Sequence, residues 1–334
     1  MNITVKDIAR LANVSHTTVS RALNDNPMIK DETRIRIKEL AKKLNYVPNI
    51  SAKGLVLERS YNIGFFASKS IENLHTSFFY EVMEGINAAI GDIYNVIPKK
   101  FKDISDVNEK MRQRKYDGII FLSMDISDTK MIYKLSAMNL PMVTLNRFMN
   151  DNEIYCVYVN ERSGACNAVE YLIKHGHSRI AIIEGPDMFI TSKERYESYI
   201  EAITKHNIPV INEYIVKGGF TPESGYAAME KLIKVDPPPT AVFVSNDLMA
   251  VGAMKACNQN GYRIPDDISV IGFDDMDFSK YLIPSLTTVR KSRRSMGEQG
   301  ASMLLKLISK IQLESNISIL ETEFILRESS RSLL

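Results

Sequence analysis

From Tyr61 onward, short apolar runs alternate with amphipathic stretches, and this restricts the chain to few folds. The strand-like runs cover 62–67, 118–122, 141–145, 179–184, 240–244 and 268–273, with a last one at 325–329. Helical periodicity fills about 78–91, 162–175, 191–206, 223–234 and 247–260. Strands that are apolar on both faces need cover on both faces, which parallel sheets receive from their crossover helices. One core of this kind does not stretch over roughly 270 residues, so two α/β lobes are expected.

The first 57 residues have another texture. Val5, Ile8, Ala9 and Ala12 fall at helical spacing, and Asn13-Val14 makes a tight turn. Ser15 suits the N-cap of a second short helix that buries Val19, Ala22 and Leu23. Asn24-Asp25-Asn26-Pro27 breaks the pattern. Asp31 is placed to cap a third helix with Thr33, Ile37, Leu40, Ala41 and Leu44 on one face. The stretch 49–57 is compatible with helix but too short to be stable alone, so it reads as a linker that folds on contact with a partner.

Charge follows the same division. Residues 1–57 hold ten basic and five acidic side chains, whereas the remainder holds thirty-two basic and thirty-five acidic. A basic head on a mildly acidic body suits a phosphate-facing module joined to a regulatory one. Two helices across a tight turn place the second in the major groove of DNA, where its first turns read base edges. The outward positions there are His16, Thr17, Ser20, Arg21 and Asn24. Arg21 suits bidentate contact with a guanine, and Thr4, Ser15, Thr18, Lys30 and Thr33 lie where phosphate contacts are usual.

Other classes find little support. Cys156, Cys166 and Cys257 form no C-x-x-C pair and read as free thiols of a reducing cytoplasm. There is no N-terminal apolar segment and no uninterrupted run of about 18 apolar residues, so a cytoplasmic protein without membrane contact is expected. The phosphate-cradling, zinc-hydrolase and nucleophile-elbow motifs of enzymes are absent, and the five histidines show no ligand spacing. No enzymatic activity, cofactor or metal is expected. A plain solute-binding protein would account for two lobes but not for the basic head.

The head resembles the DNA-binding headpiece of the lactose-repressor (LacI/GalR) family. The pattern Thr4-x-x-Asp7-Ile8-Ala9-x-x-Ala12-x-Val14-Ser15-x-x-Thr18-Val19-Ser20-Arg21-x-Leu23-Asn24 runs on through Thr33-Arg34 and Leu44-Asn45-Tyr46-x-Pro48-Asn49. The resemblance adds Tyr46 and Asn49 to the DNA-binding set and makes His16-Thr17 the pair that chooses the operator. It further implies that the stretch after Asn49 becomes a hinge helix in the minor groove, with Ala52 and Leu55 at the wedge positions. An apolar wedge kinks a base step at a cost of a few kcal/mol, offset by added contacts.

The likeness continues along the body, through Arg114-x-x-Asp117-Gly118-Ile119-Ile120, Gly176-His177-x-Arg179-Ile180-Ala181, Asn246-Asp247-x-Met249-Ala250 and Ile271-Gly272-Phe273-Asp274-Asp275. It implies an all-α helix-turn-helix headpiece (1–47), a hinge (48–58) and a two-lobe α/β regulatory domain like a type I periplasmic binding protein (59–334). An effector, a sugar or sugar derivative, then sits between the lobes beyond the carboxyl ends of the strands. The carried-over effector residues are Asn146, Arg195, Phe220, Asn246 and Asp274, with Phe78 and Phe79 from the first lobe. Asn246 also suits a helix cap, and Phe220 also suits a core. The sequence departs from the family at Arg290-Lys291-Ser292-Arg293-Arg294, where a glutamine and an apolar residue are usual. Arg293 in the cleft would favour an anionic effector such as a sugar phosphate; a basic helix start on the surface is the alternative. With no heptad tail before Leu334, a homodimer on a palindromic operator is expected. The function implied is effector-controlled repression, with a phosphorylated ligand or a protein co-repressor as the alternative.

Overall fold

The computed structural model describes residues 3–23, 25–44, 46, 59–68, 76–100, 115–138 and 140–334. The chain separates into two compact units, Met1–Ser60 and Tyr61–Leu334. The 48–58 hinge, and with it Asn49, Ala52 and Leu55, lies outside the described residues, as does Asn24.

The small unit has three helices: α1 (Val5–Ala12), α2 (His16–Leu23) and α3 (Asp31–Lys43). Thr4 caps α1 in a reciprocal box with Asp7, and Asn13 turns the chain in the left-handed region at φ 53°. Ile8, Ala9, Ala12, Val19, Ala22, Ile37 and Ala41 form the core, at the spacings the pattern predicts. Asp31 is not the cap of α3. Lys30 takes that position without a side-chain bond, and Asp31 is the first helical residue. An acidic residue there still complements the positive end of the helix dipole.

The large unit contains two parallel sheets. The first has strand order β2-β1-β3-β4-β5-β11, from Asn95–Lys100, Asn62–Ala67, Gly118–Leu122, Met142–Leu145, Tyr155–Val159 and Ile317–Leu320. The second has order β7-β6-β8-β9, from Ile215–Lys217, Ile180–Glu184, Ala241–Val244 and Ser269–Ile271. Gly118–Leu122 and Ile180–Glu184 are buried at every position, as strands covered on both faces must be. β10 (Thr288–Arg290) and β12 (Glu323–Ile325) form a separate short antiparallel pair. The last strand therefore ends at Ile325 and does not run to Ser329. Ser329 instead accepts the Val270 N–H at 2.8 Å from outside any strand.

The first lobe covers its sheet with α4 (Thr76–Ile90), α5 (Thr129–Ser136) and, from much later in the chain, α10 (Arg293–Ile308). The second lobe uses α6 (Glu161–Lys174), α7 (Ile190–Lys205), α8 (Pro222–Leu232) and α9 (Asp247–Gln259). Helices α4 and α10 touch backbone to backbone. A Cβ on Gly85 would stand 1.9 Å from the Arg294 carbonyl oxygen, and one on Gly297 would stand 2.1 Å from that of Val82. Only glycine permits this approach, which carries the start of α10 up to Glu81.

Candidate functional site

In the small unit, the Thr18 N–H donates to Ser15 Oγ at 3.0 Å, so Ser15 closes the start of α2 as its residue type predicts. The next turn presents His16, Thr17 and Arg21 exposed, with Ser20 half-buried. Several other cations of this unit are tied down. Lys38 donates to Asp25, Arg34 pairs with Asp31, and Arg36 Nη2 donates to the Ala12 carbonyl at 3.1 Å. The Arg21 side chain has no hydrogen bond or ion pair among the described residues and is left available on the outward face. Thr4 spends its hydroxyl on Asp7 at 2.7 Å, although it stays exposed beside Lys6. Lys30 is exposed and Thr33 half-exposed, while Tyr46 packs against the core of the unit.

In the large unit, the carboxyl ends of both parallel sheets carry polar residues. At the first sheet, Asp128 accepts from Ser123 Oγ at 2.8 Å and Ser68 Oγ at 3.2 Å, and burial pushes its carboxyl upward. Arg147 is buried there, donating to the Asp125 carbonyl at 2.8 Å, and burial lowers its guanidinium against the pull of Asp128 and Asp125. Asn146 adopts φ 62° and donates to the Ser123 carbonyl at 3.3 Å.

The second set links elements of both lobes. Glu161, at the start of α6, is 3% exposed and accepts from Arg195 Nε at 2.8 Å and Nη2 at 2.7 Å. It also pairs with Lys291, on the segment that returns to α10. Arg195 lies over the Phe273 ring at 3.7 Å, donates to the Ser245 carbonyl and approaches Asp274 Oδ1 to 3.5 Å. From the first lobe, Arg293 Nη1 donates to Glu81 Oε1 at 2.9 Å, while its Nη2 is 3.6 Å from Asp274 Oδ2. The guanidinium of Arg293 is 5.4 Å from the Phe78 ring. Burial lowers the Arg293 pKa, but the charges of Asp274 and Glu81 outweigh it and hold the group above its ordinary value. Glu194, on α7, is pushed up to about 7 by burial and then by the charge of Glu161.

Arg195, Asp274, Arg293 and Phe78 thus come together. Arg293 is 4% exposed, which rules out the surface helix start. The other candidates have different partners. Asn246 caps α9, accepting the Met249 N–H at 2.9 Å. Phe220 is 4% exposed and packs at 5.4 Å from Phe189 in the second lobe's core. Phe79 stacks on Phe65 at 4.9 Å. Sequence reasoning missed Glu161 and Arg147, and it noted Lys291 without assigning it. A carboxylate two residues after the strand Tyr155–Val159 and an arginine directly after Asn146 were the available signals. The two lobes also meet through backbone: Ile126 N–H donates to the Met188 carbonyl at 3.0 Å and Ile190 N–H to that of Met124 at 3.3 Å.

Comparison with known proteins agrees with this architecture. Residues 4–49 match the model of bacterial regulatory proteins of the lacI family, and residues 169–330 match the periplasmic binding protein-like domain. The chain is 46% identical over 331 residues to the probable HTH-type transcriptional repressor ExuR of Bacillus subtilis, covering 99% of each. It is 32% identical over 338 residues to catabolite control protein A of Priestia megaterium, covering 99% of this chain and 100% of the relative. Among solved structures, the Lac repressor dimer bound to operator and the anti-inducer ONPF matches with TM-score 0.83 at 26% identity, over 99% of this chain and 100% of that one. The complex of the transcriptional regulator CelR with cellobiose matches with TM-score 0.73 at 27% identity, over 98% and 100%.

Proposed function

The chain belongs to the lacI family of bacterial regulatory proteins, and we propose that it is a sequence-specific repressor whose hold on operator DNA is set by a small molecule bound between its lobes. The relatives it matches along nearly its whole length are transcriptional repressors, and this supports a regulator without enzymatic activity. Residues 1–47 form the reading head, 48–58 the hinge, and 59–334 the effector-binding and dimerising body. It acts in the cytoplasm as a homodimer on a palindromic site. Among the described residues, no helix is long and apolar enough to cross a membrane.

The observation that carries the effector half of this reading is the buried network joining Glu161, Arg195 and Asp274 of one lobe to Arg293 of the other. A ligand entering this network changes the partners that link the lobes, and allosteric coupling of about 1–3 kcal/mol is within reach of such changes. For the DNA half, His16, Thr17, Ser20, Arg21 and Asn24 read bases. Thr4, Ser15, Thr18, Lys30, Thr33, Tyr46 and Asn49 hold the backbone, and Ala52 with Leu55 wedges the minor groove. Arg21→Ala tests this half. Operator affinity measured by fluorescence anisotropy is expected to fall by about 1–3 kcal/mol with relaxed specificity. Unchanged affinity would remove Arg21 from the reading set.

A further inference from the structure

Among the residues that line the pocket at the lobe junction, six are cations and four are anions. Arg195, Lys291 and Arg293 are buried cations. Glu161 serves the first two, and Asp274 is shared between Arg195 and Arg293 at 3.5 and 3.6 Å. Glu81, the remaining partner of Arg293, is 44% exposed and shared with solvent. Glu194 near the site is pushed up to about 7 by burial and then by the charge of Glu161, so it is only partly charged at neutral pH. Asp247 is pushed up to about 7 by burial and the charge of Asp274, and it spends its oxygens on Ser279, Thr288 and the Met276 N–H.

The geometry of Arg293 shows which side is unfilled. Its Nη1 is taken by Glu81, its Nη2 has only the long approach to Asp274, and its buried Nε has no hydrogen-bond partner among the described residues. Nε and Nη2 together form the side-on edge of a guanidinium, which matches the two oxygens of a carboxylate. A buried N–H left unpaired is costly, so such an edge is fit for a ligand rather than for packing. Arg293 lines a pocket of about 310 Å³ with Asp274, Lys291 and Glu81, large enough for a hexose-sized molecule.

We propose that the effector is a sugar acid with a single carboxylate, bound through the Nε–Nη2 edge of Arg293, with Asp274 accepting from its hydroxyls. The inference rests on the effector-cleft reading above. The cationic excess of the lining suits an anion, and the flat Nε–Nη2 edge matches the two oxygens of a planar carboxylate.

The test is isothermal titration of the full chain with glucose, galactose, glucuronate, galacturonate, gluconate and glucose 6-phosphate. At least one acid is expected to bind ten-fold or more tighter than its parent hexose. Arg293→Gln should weaken that acid by about 10- to 100-fold and bring the acid-to-neutral ratio near one. Arg293→Lys keeps the charge and should retain part of the preference, and the wild-type panel alone decides the matter if either variant fails to fold. A neutral hexose binding as tightly as its acid overturns the proposal and leaves the cleft reading standing. So does glucose 6-phosphate outbinding every carboxylate, or acid binding undiminished in Arg293→Gln. If nothing in the panel binds, the acid-sugar assignment falls, and operator binding measured separately shows whether the repressor reading survives.

Discussion

Replacing Glu161 with Gln asks whether the lobe-bridging network carries energy. Glu161 is 3% exposed and faces two buried cations: Arg195, held through two contacts at 2.7 and 2.8 Å, and Lys291. Glutamine has nearly the same shape and keeps one acceptor oxygen, so packing is preserved and the charge alone is lost. Removing one partner of a buried ion pair typically costs about 3–5 kcal/mol, because the other charge stays buried without compensation. A unit of this size loses about 2–4 °C of melting temperature per kcal/mol, so a drop of roughly 6–20 °C is expected by scanning fluorimetry. Lys291→Met alone should cost less, since Glu161 keeps Arg195. The double variant should recover about 0.5–3 kcal/mol relative to the sum of the two. Glu194, which the charge of Glu161 helps push up to about 7, should titrate lower in Glu161→Gln. A loss under about 1 kcal/mol with simple additivity would refute the reasoning, since breaking such a buried ion pair is expected to cost about 3–5 kcal/mol.

Three further outcomes follow from particular contacts. Gly297→Ala puts a Cβ 2.1 Å from the Val82 carbonyl and should destabilise the body by at least about 1–3 kcal/mol in urea unfolding, whereas Gly219→Ala, with its nearest neighbour at 3.5 Å, should be close to neutral. Asp247 has a folded pKa near 7 against an ordinary 3.8, so its contribution to stability is present at low pH and lost as pH rises through about 7. Asp247→Asn should flatten that fall in a stability–pH profile. Lys30→Ala should weaken all DNA sequences alike and reduce the slope of affinity against salt by about one, and a loss confined to the operator would contradict a phosphate role.

What was legible in the sequence followed from burial. The runs at 62–67 and 118–122 coincide with strands end to end, because an interior strand of a parallel sheet is apolar on both faces. Asn95–Lys100 and Ile317–Leu320 escaped because edge strands may carry lysine, proline and serine. The helix at Arg293–Ile308 contains Gly297 and Gly300, which local propensity disfavours. It exists because α4 receives Gly297 and Leu145 of β4 packs over Gly300, a tertiary reason that no window of sequence shows. Among site residues, Arg195 and Asp274 were found through family motifs and do meet. Phe220 and Asn246 had a packing or capping role open from the start, and those are the contacts they make here. Glu161 was missed because its partners, Arg195 and Lys291, are distant in sequence.

The order of the first sheet bears on how the protein is made. That lobe takes a covering helix, Arg293–Ile308, and an edge strand, Ile317–Leu320, from near the end of the chain. The second lobe's sheet and its four helices come from one continuous stretch, from Glu161 to Ile271. On the ribosome, the sheet begun first is therefore the sheet finished last. While translation continues, the glycine-notched face of Thr76–Ile90 must wait without its partner helix. A nascent chain arrested before Arg293 would present that apolar face to chaperones beside a second lobe whose parallel sheet is already made.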